Sequence, residues 1–273
     1  MASSLGHWCA GAYWWLSVFL LLGFATAETA RPARDAVGPT GRRWLESLVL
    51  YVGCLALVSA AAPGGLAVAL LGRQTGHSPM GALRLVGGDT AVLVVGLLLV
   101  DLLSYLAHRL QHAVFLLWRF HAVHHADVHV DVSTTIRHHP FEFLLNATIG
   151  SIVMVIVGAP LWVLPIYALL AAATDTFQHS NTKLPPALDR ALGWVLITPE
   201  LHRVHHSALA QHHDTNFGGV LSIWDRLFAT LRELPAEEAE ALSFGLPEMQ
   251  APRVLRPGFS WVLPFLMRRP TVL

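Results

Sequence analysis

His108-Arg109-Leu110-Gln111-His112, His121-Ala122-Val123-His124-His125 and His202-Arg203-Val204-His205-His206 are the stretches that decide how this chain is read. An α-helix turns about 100° per residue, so positions i, i+3 and i+4 share a face. His121, His124 and His125 can therefore aim three imidazoles at one point. His202, His205 and His206 repeat the device, and His108 with His112 gives a two-toothed version of it. Imidazole suits zinc, copper, iron and nickel, so ligand type alone leaves the metal open. Eight such ligands exceed the four of a structural zinc site, and no cysteine lies near them. Two metal ions sharing the set is the simpler account.

Working outward, all three clusters adjoin long apolar segments. Of 273 residues, 54% are hydrophobic and 13% charged, and the mean hydropathy is +0.51. This predicts an all-α, polytopic membrane helix bundle with a cytoplasmic, histidine-rich helical cap holding a dimetal site. The expected division is 1–89 for N-terminal membrane helices and loops, 90–232 for the catalytic domain and 233–273 for a C-terminal tail. Net charge is zero with His neutral, which does not suggest a nucleic-acid partner. Cys9 and Cys54 form neither a disulfide framework nor a metal motif and read as small buried hydrophobes.

The first apolar run, 13–27, ends in Ala25-Thr26-Ala27, a small-residue pattern that raises the alternative of a signal peptide. No Lys or Arg precedes the run, whereas Arg31, Arg34, Arg42 and Arg43 follow it. A retained helix with the following loop in the cytoplasm is the expectation. The segment 44–71 is long enough to cross with tilt or a break at Pro63-Gly64-Gly65. An external loop over 73–89 follows, and 90–107 crosses back to deliver His108 to the cytoplasmic side. Asp101, costly in lipid unless it faces protein, lies about two turns before His108. It reads either as a second carboxylate shell for a ligand imidazole or as a capping or packing group. The stretch 143–173, interrupted at Gly158-Ala159-Pro160, must return to its starting side for the histidines to meet, so a hairpin is expected. A helix is expected over 190–196, a solvated acidic segment over 234–240, and an interfacial segment over 261–266 held by Arg268 and Arg269.

These motifs, in this order, resemble the fatty acid hydroxylase/sterol desaturase superfamily of membrane di-iron enzymes. The resemblance runs over residues 101–230. Besides the histidine boxes it includes Arg137-His138-His139-Pro140-Phe141-Glu142 and Gln178-His179-Ser180-Asn181. It closes on Asp214-Thr215-Asn216-Phe217-Gly218 and Trp224-Asp225-Arg226-Leu227-Phe228. The resemblance implies that His108, His112, His121, His124, His125, His202, His205 and His206 are iron ligands. It makes His179 a ninth and His139 a contributor or a neighbour of the ligands. Asp175 stands where some members carry a further His, and it could bind iron, orient His179 or pack. His138 stands at an expected apolar or aromatic position, and Ala229 replaces a familiar Gly. For His212 and His213 surface residence is expected, His129 has no firm assignment, and His7 and His77 are given no role.

Activity follows from the resemblance: O2-dependent oxidation of a lipid C–H bond at two irons, giving a hydroxyl group or a double bond. Oxidising an unactivated C–H bond is beyond acid–base side chains, so a cofactor must carry it. Asp101, Asp175 or Asp225 would balance charge around the neutral imidazoles. The sequence shows no GxGxxG fingerprint after a strand, no cysteine set for an iron–sulfur cluster and no His preceding Pro63-Gly64-Gly65 as a fused cytochrome would need. A separate redox partner (reductase, ferredoxin or cytochrome) is therefore expected. The substrate, whether sterol-like, fatty acyl, carotenoid or ether lipid, stays open. Two alternatives compete: a metal transporter, which would place ligands mid-membrane, and a metal-binding membrane protein without catalysis.

Overall fold

The computed structural model describes residues 2–72, 79–246 and 258–267. Among the described residues every extended element is a helix, and the β pairings are isolated bridges such as Leu196 with Leu221. The membrane-facing part comprises α1 (Ala2–Ala30), α2 (Thr40–Gly72), α3 (Pro79–Ala113), α5 (Pro140–Val157) and α6 (Val163–His179). Among the described residues three stretches are long and apolar enough to cross a membrane: His7–Ala30, Thr40–Ala61 and Pro79–Ala113. α1 packs along α6, α2 along α5, and α3 touches both α5 and α6. Gly96 lets α3 close on Val163, whose methyl a Cβ there would meet at 3.0 Å.

Several boundaries differ from expectation. α2 continues through Pro63-Gly64-Gly65 as one helix, as membrane helices tolerate. The 73–89 loop is helical from Pro79, with the chain kinked at Gly88 (φ 66°), where only glycine takes that conformation freely. Residues 73–78, with His77, and Arg268 and Arg269 lie outside the described residues. The expected hairpin is present: α5 and α6 are joined at Gly158 (φ 67°) and Pro160.

Short elements make the cap: α4 (Phe115–His125), a 3-10 turn (Val132–Ile136), α7 (Pro186–Gly193), α8 (Pro199–His205), α9 (Ala210–His213), α10 (Ile223–Leu227), α11 (Ala236–Glu240) and α12 (Phe259–Leu266). The helix expected over 190–196 starts at Pro186 instead, because a proline at the first turn has its φ preset and no N–H to lose. α8, which carries the third histidine cluster, opens the same way at Pro199, with the Thr198 hydroxyl accepting from Leu201 N–H.

Buried polar groups fasten the cap to the membrane helices. Arg43 of α2, buried, donates to Asp127 at 2.7 and 3.2 Å, to Asp131 at 2.9 Å and to the His129 carbonyl. Glu28, near the end of α1, accepts from the backbone N–H groups of Val132 (3.2 Å) and Asn181 (2.9 Å). Arg137 donates to the Val123 carbonyl and the Ser260 hydroxyl. The 261–266 segment is more than an interfacial strip: Leu263 is buried with Leu50, Val123 and Ala126, while Val262, Phe265 and Leu266 of the same helix stay exposed.

Candidate metal centre

The helical spacing does what it implies, with one refinement: each triplet splits between two sites. His108, His112, His121, His125 and His205 form one group, and His124, His179, His202 and His206 another, with the donor atoms of each group within 4.8 Å of one another. Neighbours at i and i+4 stay together (121 with 125, 202 with 206, 108 with 112), whereas His124 and His205 cross to the other group. Three different chain regions thus meet at each site, and α4 and α8 contribute to both.

Hydrogen bonds set the tautomers. The Nδ1–H groups of His108, His124, His179 and His205 donate to the carbonyls of Phe217 (2.9 Å), Arg137 (3.2 Å), Asp175 (2.8 Å) and Thr215 (2.7 Å). Carboxylates take two more: Glu142 accepts from His121 Nδ1 at 2.8 Å, and Asp214 from His112 Nδ1 at 3.1 Å, whereas the Nδ1 atoms of His202 and His206 are buried without a hydrogen-bond partner. With the proton on Nδ1, the Nε2 of each of these six imidazoles carries a bare lone pair. Yet His108 Nε2 and His121 Nε2 lie 3.0 Å apart, and His124 Nε2 and His179 Nε2 also 3.0 Å apart. Facing lone pairs in a buried site repel unless a cation stands between them. Two nitrogens each about 2.1 Å from one ion and at right angles are about 3.0 Å apart, which matches. His205 Nε2 is buried without a hydrogen-bond partner, as a ligand atom awaiting its metal would be. The donor set therefore fits a pair of metal ions held by imidazole alone.

Electrostatics support the same fit. Burial, reinforced by the neighbouring imidazoles, pushes His124, His125, His202, His205 and His206 well below the ordinary 6.5. They are neutral at physiological pH, the form that binds metal. His138 goes the other way: burial lowers its pKa, but Glu142 outweighs burial and raises it.

The other sequence candidates fall in distinct places. His139 lies outside both groups; its Nδ1 accepts from Phe141 N–H at 3.2 Å and its ring stacks on Phe141. His138 instead reaches the site, stacked on His124 with ring centres 4.5 Å apart and sharing Glu142 Oε1 with His121. Asp175 accepts from His179 Nδ1 through both its carbonyl and its carboxylate (3.1 Å). Among the described residues Asp101 hydrogen-bonds no imidazole. Its carboxylate accepts from Val220 N–H (3.1 Å), Leu221 N–H (3.2 Å), Trp224 Nε1–H (2.8 Å) and the Tyr167 hydroxyl (2.9 Å). Asp225 takes the Phe217 and Gly218 N–H groups, both at 2.8 Å. Two aspartates thus grip the loop whose Phe217 carbonyl fixes His108. Gly218 is required there, since a Cβ would sit 2.5 Å from the Leu221 carbonyl oxygen. His129 belongs to the Arg43 network, hydrogen-bonding Asn181. His212, expected at the surface, is buried and bonded to Ser207, because α9 folds back on α8.

Glu142 and Asp214 were missed as partners of the ligands. Glu142 stands 21 residues from His121, and only its presence in the Arg137–Glu142 motif hinted at a role. Beside the two groups lies a cavity of about 550 Å³. Its wall is mostly apolar, with Val100, Leu103 and Ala107 of α3, Ala147 of α5 and Leu164, Ala168, Ala171 and Ala172 of α6, while Gln111, Asn146, Asp175 and Gln178 add polar groups. It shares His108, His121, His124, His179 and His202 with the metal groups.

An all-helical membrane bundle capped by two imidazole clusters beside an apolar cavity defines a class, and comparison places the chain within it. The family model for fatty acid hydroxylase matches residues 93–230, half of the chain, and the chain belongs to that family. Among curated relatives, it is 36% identical over 145 residues to ornithine lipid hydroxylase OlsE of Rhizobium tropici, covering 52% of this chain and 42% of that protein. It is 30% identical over 131 residues to alkylglycerol monooxygenase of Caenorhabditis elegans (48% of this chain, 25% of that one). It is also 28% identical over 156 residues to fatty acid hydroxylase vlmA of Lecanicillium sp (49% and 40%). The matched stretch spans less than half the length of each of these relatives. No solved structure matches.

Proposed function

We propose that the protein is a membrane-bound, O2-dependent lipid hydroxylase that works with two iron ions. The five-histidine group and the four-histidine group each hold one ion. The observation that carries this reading is the pair of bare Nε2 contacts, 108 with 121 and 124 with 179, at the edge of an apolar cavity. Iron bound there would supply the oxidation of a C–H bond by O2, the net change being R–H + O2 + 2 e⁻ + 2 H⁺ → R–OH + H2O. Hydroxylation is favoured over desaturation because the relatives named above are hydroxylases and a monooxygenase.

The chain's own groups do the rest. Carbonyls and carboxylates behind six of the Nδ1 atoms hold those imidazoles in one tautomer and orientation. The alanine-lined wall of α6 leaves room for an alkyl chain, and burial of the cluster excludes water. Tyr167, tied to Asp101, fixes one side of the cavity to the His108 loop. Electrons would come from a separate reductase, ferredoxin or cytochrome on the side of the cap, and the positive charge of Arg31, Arg34 and Arg42 supports a cytoplasmic setting for it. A transporter reading suits this arrangement less well, because the ligands are gathered in a closed cap rather than along a path across the spans.

Lipid profiling tests the proposal. Cells making the wild-type chain should accumulate a lipid heavier by one oxygen, absent with His124→Ala. Identical profiles for wild type, variant and empty vector would overturn it.

A further inference from the structure

Among the described residues the cap carries an outward apolar patch: Trp194, Val195, Ile223, Leu227 and Phe228 are all exposed, Trp194 at 64% and Leu227 at 67%. They come from two segments that are physically one unit. Leu196 pairs with Leu221 in a β-bridge, Ser222 N–H donates to the Val195 carbonyl at 3.0 Å, and the Arg226 guanidinium lies 4.2 Å over the Trp194 ring. The unit is also bolted to a membrane helix. Asp101 of α3 takes Val220 N–H, Leu221 N–H and Trp224 Nε1–H, and Phe228 stacks on Tyr105 of α3 with ring centres 5.3 Å apart.

That attachment sets its depth. Asp101 precedes His108 by seven residues, which along a helix is about 10 Å toward the bilayer. The loop that fixes His108 through Phe217 therefore descends from the metal centre to the level of the span. At that level α3 itself is open to the outside at Leu98 and Leu106. A solvated patch of this kind would be costly on a water-facing surface. A tryptophan with an arginine stacked on it is the usual composition of a bilayer interface, apolar ring inward and charge at the headgroups.

We propose that α10 and the 194–196 segment form an interfacial membrane-seating surface, inserted about 5–10 Å into the headgroup and acyl boundary of the leaflet that faces the cap. The occupant is the lipid surface itself, with Arg226 at the level of the phosphates. The cap is thereby pressed onto the membrane at the side where the His108 loop leaves α3. The inference needs the membrane spans but neither the metal nor the reaction.

The test uses the full chain in phosphatidylcholine/phosphatidylglycerol vesicles. Cys9 and Cys54 are replaced by Ser, and a nitroxide is attached at Val195→Cys, Leu227→Cys or, as a water-facing reference, Glu237→Cys. Power-saturation EPR then compares accessibility to O2 with accessibility to a water-soluble nickel chelate. The expected result is O2 accessibility above nickel accessibility at 195 and 227 and the reverse at 237, with metal content unchanged in all three. Nickel accessibility at 195 and 227 equal to that at 237 would overturn the proposal. So would low accessibility to both reagents with dipolar broadening, which would mean that a second copy of the chain covers the patch.

Discussion

Replacing Glu142 should loosen the metal centre in a graded way. Glu142 Oε1 accepts from His121 Nδ1 at 2.8 Å and from His138 Nδ1 at 3.1 Å, and the residue is buried. In Glu142→Ala both imidazole N–H groups lose their acceptor inside the protein, at about 1–3 kcal/mol each. Only the His121 share acts on a ligand directly, and about 1.4 kcal/mol is tenfold in an equilibrium constant. Metal affinity of the five-histidine group should therefore fall roughly ten- to a hundredfold, the range expected when a ligand's orienting carboxylate is removed. Both donors share Oε1, so Glu142→Gln keeps a carbonyl oxygen for them and loses only the charge, and it should sit near the low end, about tenfold. The assay is competition for iron with a chelator of known affinity, followed by the metal remaining on detergent-purified protein. His139→Ala is the matched control, since His139 is equally buried and three residues away but outside both groups. It should leave retention unchanged. Equal retention in wild type and Glu142→Ala, or a larger loss in His139→Ala, would refute the assigned arrangement.

His124, His125, His202, His205 and His206 are held below their unfolded pKa, so the folded chain binds fewer protons than the unfolded one as pH falls through about 6.5. The stability they contribute is present above that pH and lost below it, at up to about 1.4 kcal/mol per pH unit for each group; Tm of chelator-treated protein should fall steeply between about pH 6.5 and 5 and stay level above about 7.5. Asp101→Ala leaves four donors without an acceptor and should cost about 3 kcal/mol or more, read as a lower Tm, whereas a Tm equal to wild type would contradict its role as the anchor of the 217–224 loop. Ala229 has φ 56°, a conformation that costs a residue with a Cβ about 1–2 kcal/mol, so Ala229→Gly should raise stability by up to about 1 kcal/mol once the looser unfolded chain is counted; a drop in Tm would contradict this.

How much of this was legible beforehand depends on distance along the chain. The His boxes could be read because their spacing is helical and local, and the hairpin because ligands on both sides of it had to meet. What spacing could not show is the division of each triplet between two groups, since that depends on how α3, α4 and α8 cross. Glu142 and Asp214 were invisible for the same reason: their partners, His121 and His112, are far off in sequence. Arg43 shows a different failure. Its charge read as a topology signal in a cytoplasmic loop, yet it is buried between Asp127 and Asp131. Asp101 was flagged correctly as a carboxylate that must face protein, but its partners are backbone N–H groups over a hundred residues away rather than the nearby imidazole. The Ala229 departure from a familiar glycine became intelligible only with its backbone angle.

The central claim is that two separate imidazole groups each hold an ion, and metal stoichiometry tests it most directly. Iron per chain should be measured in wild type, in His205→Ala and in His206→Ala, with folding checked by Tm. The account predicts about two ions in the wild type and about one in each variant, because His205 belongs to the five-histidine group and His206 to the four-histidine group. A single ion in the wild type, or no metal in folded protein never exposed to chelator, would contradict it.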